Sequence, residues 1–191
     1  MIICPAPILR SAYDQSFGLA HSVIRVLSYR YVPDIERFNF APSRAFERFP
    51  QFATALARSR RGSVELVSAG DIGSPEVLER LCRIAPVTAI RGNVDVASWA
   101  SRYPETATVH LGARCFYLLH DLKALAIDPA ASGVNVVISG HSHRVQVNTR
   151  NGVLFLNPGS AGPKRFKLPI TLATLDLDEA VTCGPIHELD A

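Results

Sequence analysis

Five side chains of this 191-residue chain are of the types that bind hard or borderline metal ions, and each follows the end of an apolar run. LVSAGD carries Asp71, AIRGNVD carries Asn93, FYLLHD carries His120, and VISGHSH carries His141 and His143. In α/β proteins the carboxyl ends of neighbouring strands converge on one edge, where ligands bind. The pattern therefore predicts that Asp71, Asn93, His120, His141 and His143 meet in one site. Imidazole, carboxylate and amide oxygen suit a divalent ion such as manganese, zinc or iron. One carboxylate can also bridge two ions about 3.5–4 Å apart, a spacing used for in-line attack on phosphate esters. Taken singly, each residue has a duller explanation. Asp71 could cap a helix, Asn93 after Gly92 could be a turn residue, and His120 could be a satisfied buried histidine. It is the ordered set that points to metal chemistry.

The elements that must position these residues are read from periodicity. Val23–Ser28, Val64–Ser68 and Val87–Ile90 are short apolar, β-branched runs that read as strands. Pro75–Ile84 reads as a helix, with Ser74 at the N-cap and Pro75 at the first helical position. Apolar residues from Ala45 to Arg58 also recur at helical spacing, with Pro50 as an alternative start. Alternating strands and helices indicate a parallel α/β unit.

The second half changes character. Thr106–Leu111 and Arg114–Leu119 flank a Gly112-Ala113 turn, and Val145–Thr149 and Val153–Leu156 flank Asn151-Gly152, a strong hairpin signal. Val134–Ser139 reads as a buried strand and Thr171–Leu177 as the final one. The expected class is α/β, a four-layer α/β/β/α sandwich of two mixed sheets with helices outside. Residues 1–22, broken by Pro5 and Pro7, read as an N-terminal extension, and residues 23–191 as one domain.

Composition narrows the function. Apolar residues make up 48% and charged residues 19%, as in globular domains. A formal net charge of +3 is too small to argue for nucleic acid as a partner. No apolar run reaches the ~20 residues that span a bilayer, so no membrane association is expected. Cys4, Cys82, Cys115 and Cys183 form no CxxC pair and read as reduced thiols, which with the lack of a signal-peptide pattern gives a cytoplasmic expectation.

In the order AGD, RGN-x-D, strand-end histidine, SGHSH, and NPGS at Asn157–Ser160, the chain resembles the calcineurin-like metallophosphoesterase superfamily. The similarity is to its small bacterial and archaeal phosphodiesterases, which share their fold with the retromer scaffold subunit, and it covers residues 22–178. The resemblance implies the same four-layer sandwich, two metal ions at the strand ends, and phosphodiester or phosphomonoester hydrolysis by a metal-activated hydroxide. It implies that Asp71 bridges both ions, that Asn93, His120 and His141 complete the second site, and that His143 belongs to the first. Asp71, Asn93 and His120 would carry catalysis on a small phosphoester, and the NPGS turn would be a structural loop beside them. Manganese is the expected ion, with zinc, iron or nickel as alternatives. Arg91 reads as a surface ion-pair partner. Asp121, where the family often has glycine, could hydrogen-bond a metal ligand.

One departure matters. The family's opening strand ends in Asp-x-His, and here the matching stretch is Ser28-Tyr29-Arg30-Tyr31. Tyr29 then stands for the aspartate and Tyr31 for the histidine. Aspartate is anionic at neutral pH, with a pKa of about 3.9, whereas tyrosine titrates near ~10. A neutral phenol brings no charge to balance a dication. The first site would keep only Asp71 and His143, so one ion is expected to bind well and the second weakly or not at all. Two functions follow: a weakened metal-dependent phosphodiesterase, or a non-catalytic protein-binding scaffold retaining the fold and at most one metal.

Overall fold

The computed structural model describes residues 23–27, 64–83, 85–111, 113–162, 167–177 and 182–189. Residues 1–22, the helix expected within Ala45–Arg58, and Tyr29 and Tyr31 lie outside them. In chain order the strands are β1 (Val23–Leu27), β2 (Val64–Ala69), β3 (Val87–Ile90), β4 (Thr106–Leu111) and β5 (Arg114–Leu119). They continue with β6 (Val136–Ile138), β7 (Val145–Arg150), β8 (Val153–Pro158), β9 (Ile170–Asp176) and β10 (Thr182–Leu189). One α-helix among the described residues, α1 (Pro75–Cys82), crosses from β2 to β3.

The strands form two five-stranded sheets, ordered β10-β9-β1-β2-β3 and β4-β5-β6-β8-β7. Both are mixed, as expected. In the first, β1, β2 and β3 run parallel while β9 and β10 are antiparallel additions. In the second, β5, β6 and β8 run parallel between the antiparallel edge strands β4 and β7. The central strands β3 and β6 are buried along their whole length, which is why VTAI and VVI are unbroken apolar runs. The β7–β8 hairpin turns on Asn151 and Gly152, with φ of 50° and 76°. Two successive left-handed residues make the tight turn that matches strand twist.

The inner faces share one core, which includes Val67, Ala69 and Ile90 of the first sheet and Phe116, Leu118 and Ile138 of the second. Helix α1 lays Val77, Leu78 and Leu81 on the outer face of the first sheet, against Leu66, Val87 and Leu172. Over the outer face of the second sheet, Leu122, Leu125 and Ile127 cover Leu119, Val137 and Phe155. Among the described residues this covering segment holds a 3₁₀ turn, Leu122–Ala124, and no α-helix. Pro129 and the turn at Ser132-Gly133 break it too often for a helix to propagate.

Three local expectations are adjusted. The final strand is β10, not Thr171–Leu177; Gly184-Pro185 hides it in the sequence and falls where the β9–β10 register shifts, between Cys183 and Ile186. The strand expected at Val134–Ser139 shortens to Val136–Ile138. Ser74 holds the N-cap position but makes no side-chain cap bond. Cys115 and Cys183 are free thiols. Among the described residues no helix is long and apolar enough to cross a membrane.

Candidate metal centre

The polar residues follow the carboxyl ends of β2, β3, β5 and β6, two strands from each sheet. The site therefore lies where the edges of the two sheets meet. Asp71 Oδ1 is 3.2 Å from His120 Nε2. The same Nε2 is 3.0 Å from Asn93 Oδ1. Asn93 Oδ1 is in turn 3.1 Å from His141 Nδ1. The rings of His120 and His141 meet edge to face, with centroids 5.2 Å apart. Four of the five expected residues are thus joined by direct contacts. His143 follows in the same loop, half-buried.

The backbone takes unusual conformations to achieve this. Asp71, His141 and His143 all lie in the left-handed region, with φ of 57°, 62° and 57°. Such conformations cost a residue with a side chain about 1 kcal/mol or more each, and they cluster at functional sites. Glycine serves a different need here. A Cβ on Gly92 would strike the Asp71 carboxylate and backbone nitrogen, and one on Gly70 would meet His120 Nδ1 and the Gly92 backbone. The AGD and RGN loops can approach only because both carry glycine at that point.

A carboxylate outside the expected ligand set clamps these loops. Asp95 is buried and accepts hydrogen bonds from the backbone N–H groups of Ile72 (2.9 Å), Gly73 (2.7 Å) and Gly92 (2.7 Å). The RGN-x-D spacing made Asp95 visible, but two of its three partners, Ile72 and Gly73, lie in another loop. Asn157 does the same on the other side. Its amide nitrogen donates to the Gly140 carbonyl and to Ser142 Oγ, and its oxygen accepts from Gly159 N–H. The NPGS turn is therefore fastened to the GHSH loop. Arg91 pairs with Glu105 at 2.7 Å on the surface, as its position suggested.

The proton on His120 can be located. Its Nδ1 lies 2.8 Å from the Ala69 carbonyl oxygen, which can only accept. Nδ1 therefore carries hydrogen, and Nε2 of the neutral ring presents a lone pair. That lone pair faces two oxygens, Asp71 Oδ1 and Asn93 Oδ1, which also offer lone pairs. Three such atoms crowded together call for positive charge between them. Without a metal, a second proton on His120 would supply it. Burial pulls its pKa down, but the hydrogen bonds to Asp71 and the Ala69 carbonyl and the charges of Asp71 and Asp95 outweigh it, and the net shift is upward. A divalent cation satisfies the same atoms without that proton. The donor types of Asp71, His120, His141 and the Asn93 amide oxygen are those that such an ion takes. Among the described residues no group of three or more His, Cys, Asp or Glu side chains is spaced to hold a metal ion.

Comparison with known proteins places the chain in a family. Residues 48–180 match the model of the calcineurin-like phosphoesterase superfamily domain. A protein named "probable metallophosphoesterase" from Methanothermobacter thermautotrophicus is 30% identical over 159 residues, covering 77% of this chain and 81% of the relative. A structurally characterised archaeal phosphodiesterase superposes with a TM-score of 0.64 at 17% identity, covering 87% of this chain and 98% of that one. Vps29 from Entamoeba histolytica, solved with bound Zn²⁺, gives a TM-score of 0.51 at 20% identity, covering 88% and 99%. The chain belongs to the calcineurin-like phosphoesterase superfamily.

Proposed function

We propose that the chain is a metal-dependent phosphodiesterase acting on a small phosphoester, with one well-held ion and a weakened second position. The observation that carries this is the meeting of Asp71 Oδ1, Asn93 Oδ1 and His120 Nε2 within 3.2 Å. A divalent ion there would polarise a phosphoryl oxygen and lower the pKa of water. In this reading Asp71 supplies the buried anionic charge, and the Ala69 carbonyl holds the His120 ring so that Nε2 points inward. Asn93 would face the ester in this reading, being exposed while its oxygen touches both imidazoles. His141 completes the ion's protein ligands, and His143 with Asp71 is what remains of the other position. Manganese is the first candidate, and zinc, iron and nickel suit the same donors. Residues 23–191 form the domain in this reading, residues 1–22 an extension, and the protein works in the cytoplasm.

Tyr29 and Tyr31 replace a carboxylate and an imidazole in this reading. The attacking and leaving oxygens then lack their shared clamp. A loss of about 2.7 kcal/mol in the transition state slows turnover about a hundredfold. The test is manganese-dependent hydrolysis of bis(p-nitrophenyl) phosphate by the wild-type protein and by His141→Ala. Slow turnover that His141→Ala abolishes supports the assignment. Turnover that survives unchanged in the variant refutes it. A second reading, a protein-binding scaffold with at most one metal, is favoured by the Vps29 likeness. It predicts no hydrolysis, whether or not manganese binds.

A further inference from the structure

The two sheets end in the edge strands β10, β3, β4 and β7. An edge strand presents unpaired backbone N–H and C=O groups, and proteins blunt such edges with short strands, bulges, proline, charge or cover. β3 is four residues long and buried throughout. β4 keeps Val109 and Leu111 buried. β10 carries Gly184-Pro185 and a register shift between Cys183 and Ile186. β7 has none of these devices. It pairs with β8 without interruption from Val145–Pro158 to Arg150–Val153, and VQVNT contains neither proline nor charge. Its Val145 and Val147 are 40% and 43% exposed, and among the described residues Val96 is the only other exposed large apolar side chain. Alternation puts both valines on one side of the strand, with Gln146, Asn148 and Arg150 on the other.

The charge around this edge has one sign. From Pro129 to Leu175 the sequence contains no aspartate or glutamate, while Arg144, Arg150, Lys164, Arg165 and Lys167 all fall in that stretch. The rest of the chain, with all 17 acidic residues, is net negative. Arg144 directly precedes β7 and Arg150 closes it, and both are exposed. The Arg150 guanidinium rests over the Phe155 ring, 5.4 Å from its centroid, and its Nε donates to Asn148 Oδ1 at 3.2 Å. Its charge is thereby held on the outer side of the strand. At about 3.3 Å per residue, the two arginines stand about 20 Å apart. A second copy of the chain suits this edge poorly. Antiparallel pairing centred on Val147 would set Arg144 against Arg150 of the copy.

We propose that β7 is a docking strand for an extended, acidic peptide segment of a partner protein, which adds to the open edge of the second sheet. Backbone groups of β7 supply the ladder, and side-chain pairing supplies the selectivity. Alternate apolar side chains of the partner cover Val145 and Val147. Acidic side chains six residues apart meet Arg144 and Arg150. The surface needs neither a bound ion nor hydrolysis, so it stands apart from the metal reading.

The test uses the full chain and two fluorescein-labelled peptides, Glu-Val-Ser-Val-Thr-Val-Glu and its counterpart with lysine at both ends. Fluorescence anisotropy should show saturable binding of the glutamate peptide, weakened by salt, and no binding of the lysine peptide at the same concentrations. Arg150→Glu should weaken the glutamate peptide roughly fivefold and strengthen the lysine peptide, because opposite charges across a ladder attract and like charges repel. Val147→Lys points a charge inward at the edge and should abolish binding of the glutamate peptide. Thermal midpoints near wild type establish that both variants are folded. Added glutamate peptide should slow backbone hydrogen exchange in residues 145–150 and nowhere else. Equal binding of the two peptides, binding of neither, or protection outside β7 would overturn the proposal. So would protection of β7 that grows with protein concentration alone, which would assign the edge to a second copy.

Discussion

The carboxylate of Asp95 accepts a 2.9 Å hydrogen bond from the backbone N–H of Ile72, 23 residues earlier in the chain. With its bonds to Gly73 and Gly92, it ties the loop after β2 to the loop after β3 and sets the distance between Asp71 and Asn93. Asp95→Asn replaces one acceptor oxygen by an NH₂ group that faces backbone donors. The expected cost is about 2–3 kcal/mol, because hydrogen bonds to a buried charge are lost and donors are left unmet. In a chain of this size that lowers the thermal midpoint by roughly 4–12 °C. A midpoint within a degree of wild type would show that the loops hold together without Asp95.

Gly92→Ala tests the close approach of the two loops. The added methyl would fall on the carboxylate and backbone nitrogen of Asp71. Backbone cannot rotate away as a flexible side chain does, so the loops must part. A destabilisation of about 1–3 kcal/mol is expected, as for overpacking elsewhere. Calorimetry should also show at least about tenfold weaker manganese binding. A variant with wild-type affinity and midpoint would mean that the loops have slack.

How much of this was legible in the sequence can be judged from Asp71 and Asp95. Asp71 announced itself by type and position, one residue past a glycine at the end of an apolar run, and the fold placed it with Asn93, His120 and His141. Asp95 was equally visible as a letter, yet its partners are backbone groups, two of them in another loop, and backbone partners leave no trace in side-chain identity. The sheets were read from period and turn residues, most clearly at Asn151-Gly152. β10 was lost because Gly184-Pro185 interrupts its alternation. The layer over the second sheet was expected to be helical from the general architecture, and among the described residues it holds a 3₁₀ turn in a segment broken by proline and glycine.

Glu65 gives a pH signature away from the site. Its pKa is raised above 4.5, chiefly by burial, against the lowering effect of the Thr88 hydroxyl that donates to it at 2.9 Å. A raised folded-state pKa means that the native protein takes up this proton before the unfolded chain does as pH falls. The resulting stabilisation is complete below about 4.5 and is lost as pH rises through the raised value. Glu65→Gln removes this dependence and keeps an acceptor for Thr88. Urea titrations at a series of pH values should show the variant gaining on wild type as pH rises across that window. A stability difference constant with pH would contradict the burial argument.

Phe116 and Val147 contrast two positions on the same face of one sheet. Phe116 is wholly buried between the sheets, and Phe116→Ala should cost about 3–5 kcal/mol. Val147 pairs across the ladder with the core residue Leu156, yet it is 43% exposed. Edge strand β7 therefore reaches past the cover that the first sheet provides. Val147→Thr should change stability by no more than about 0.5 kcal/mol in denaturant titration. A larger loss would mean that something in the chain shelters that edge.

The strand order also governs the timing of assembly. β4 to β8 occupy one unbroken stretch, Thr106–Pro158, so the second sheet can close from near neighbours as soon as that stretch has left the ribosome. β1 sits in the middle of the first sheet, and one of its flanking strands, β9, arrives about 150 residues later. Contacts between such distant segments are slow to form. β1 must wait for the much later β9 before its sheet is whole, and a nascent protein halted before Ile170 would carry β1 with one flank open.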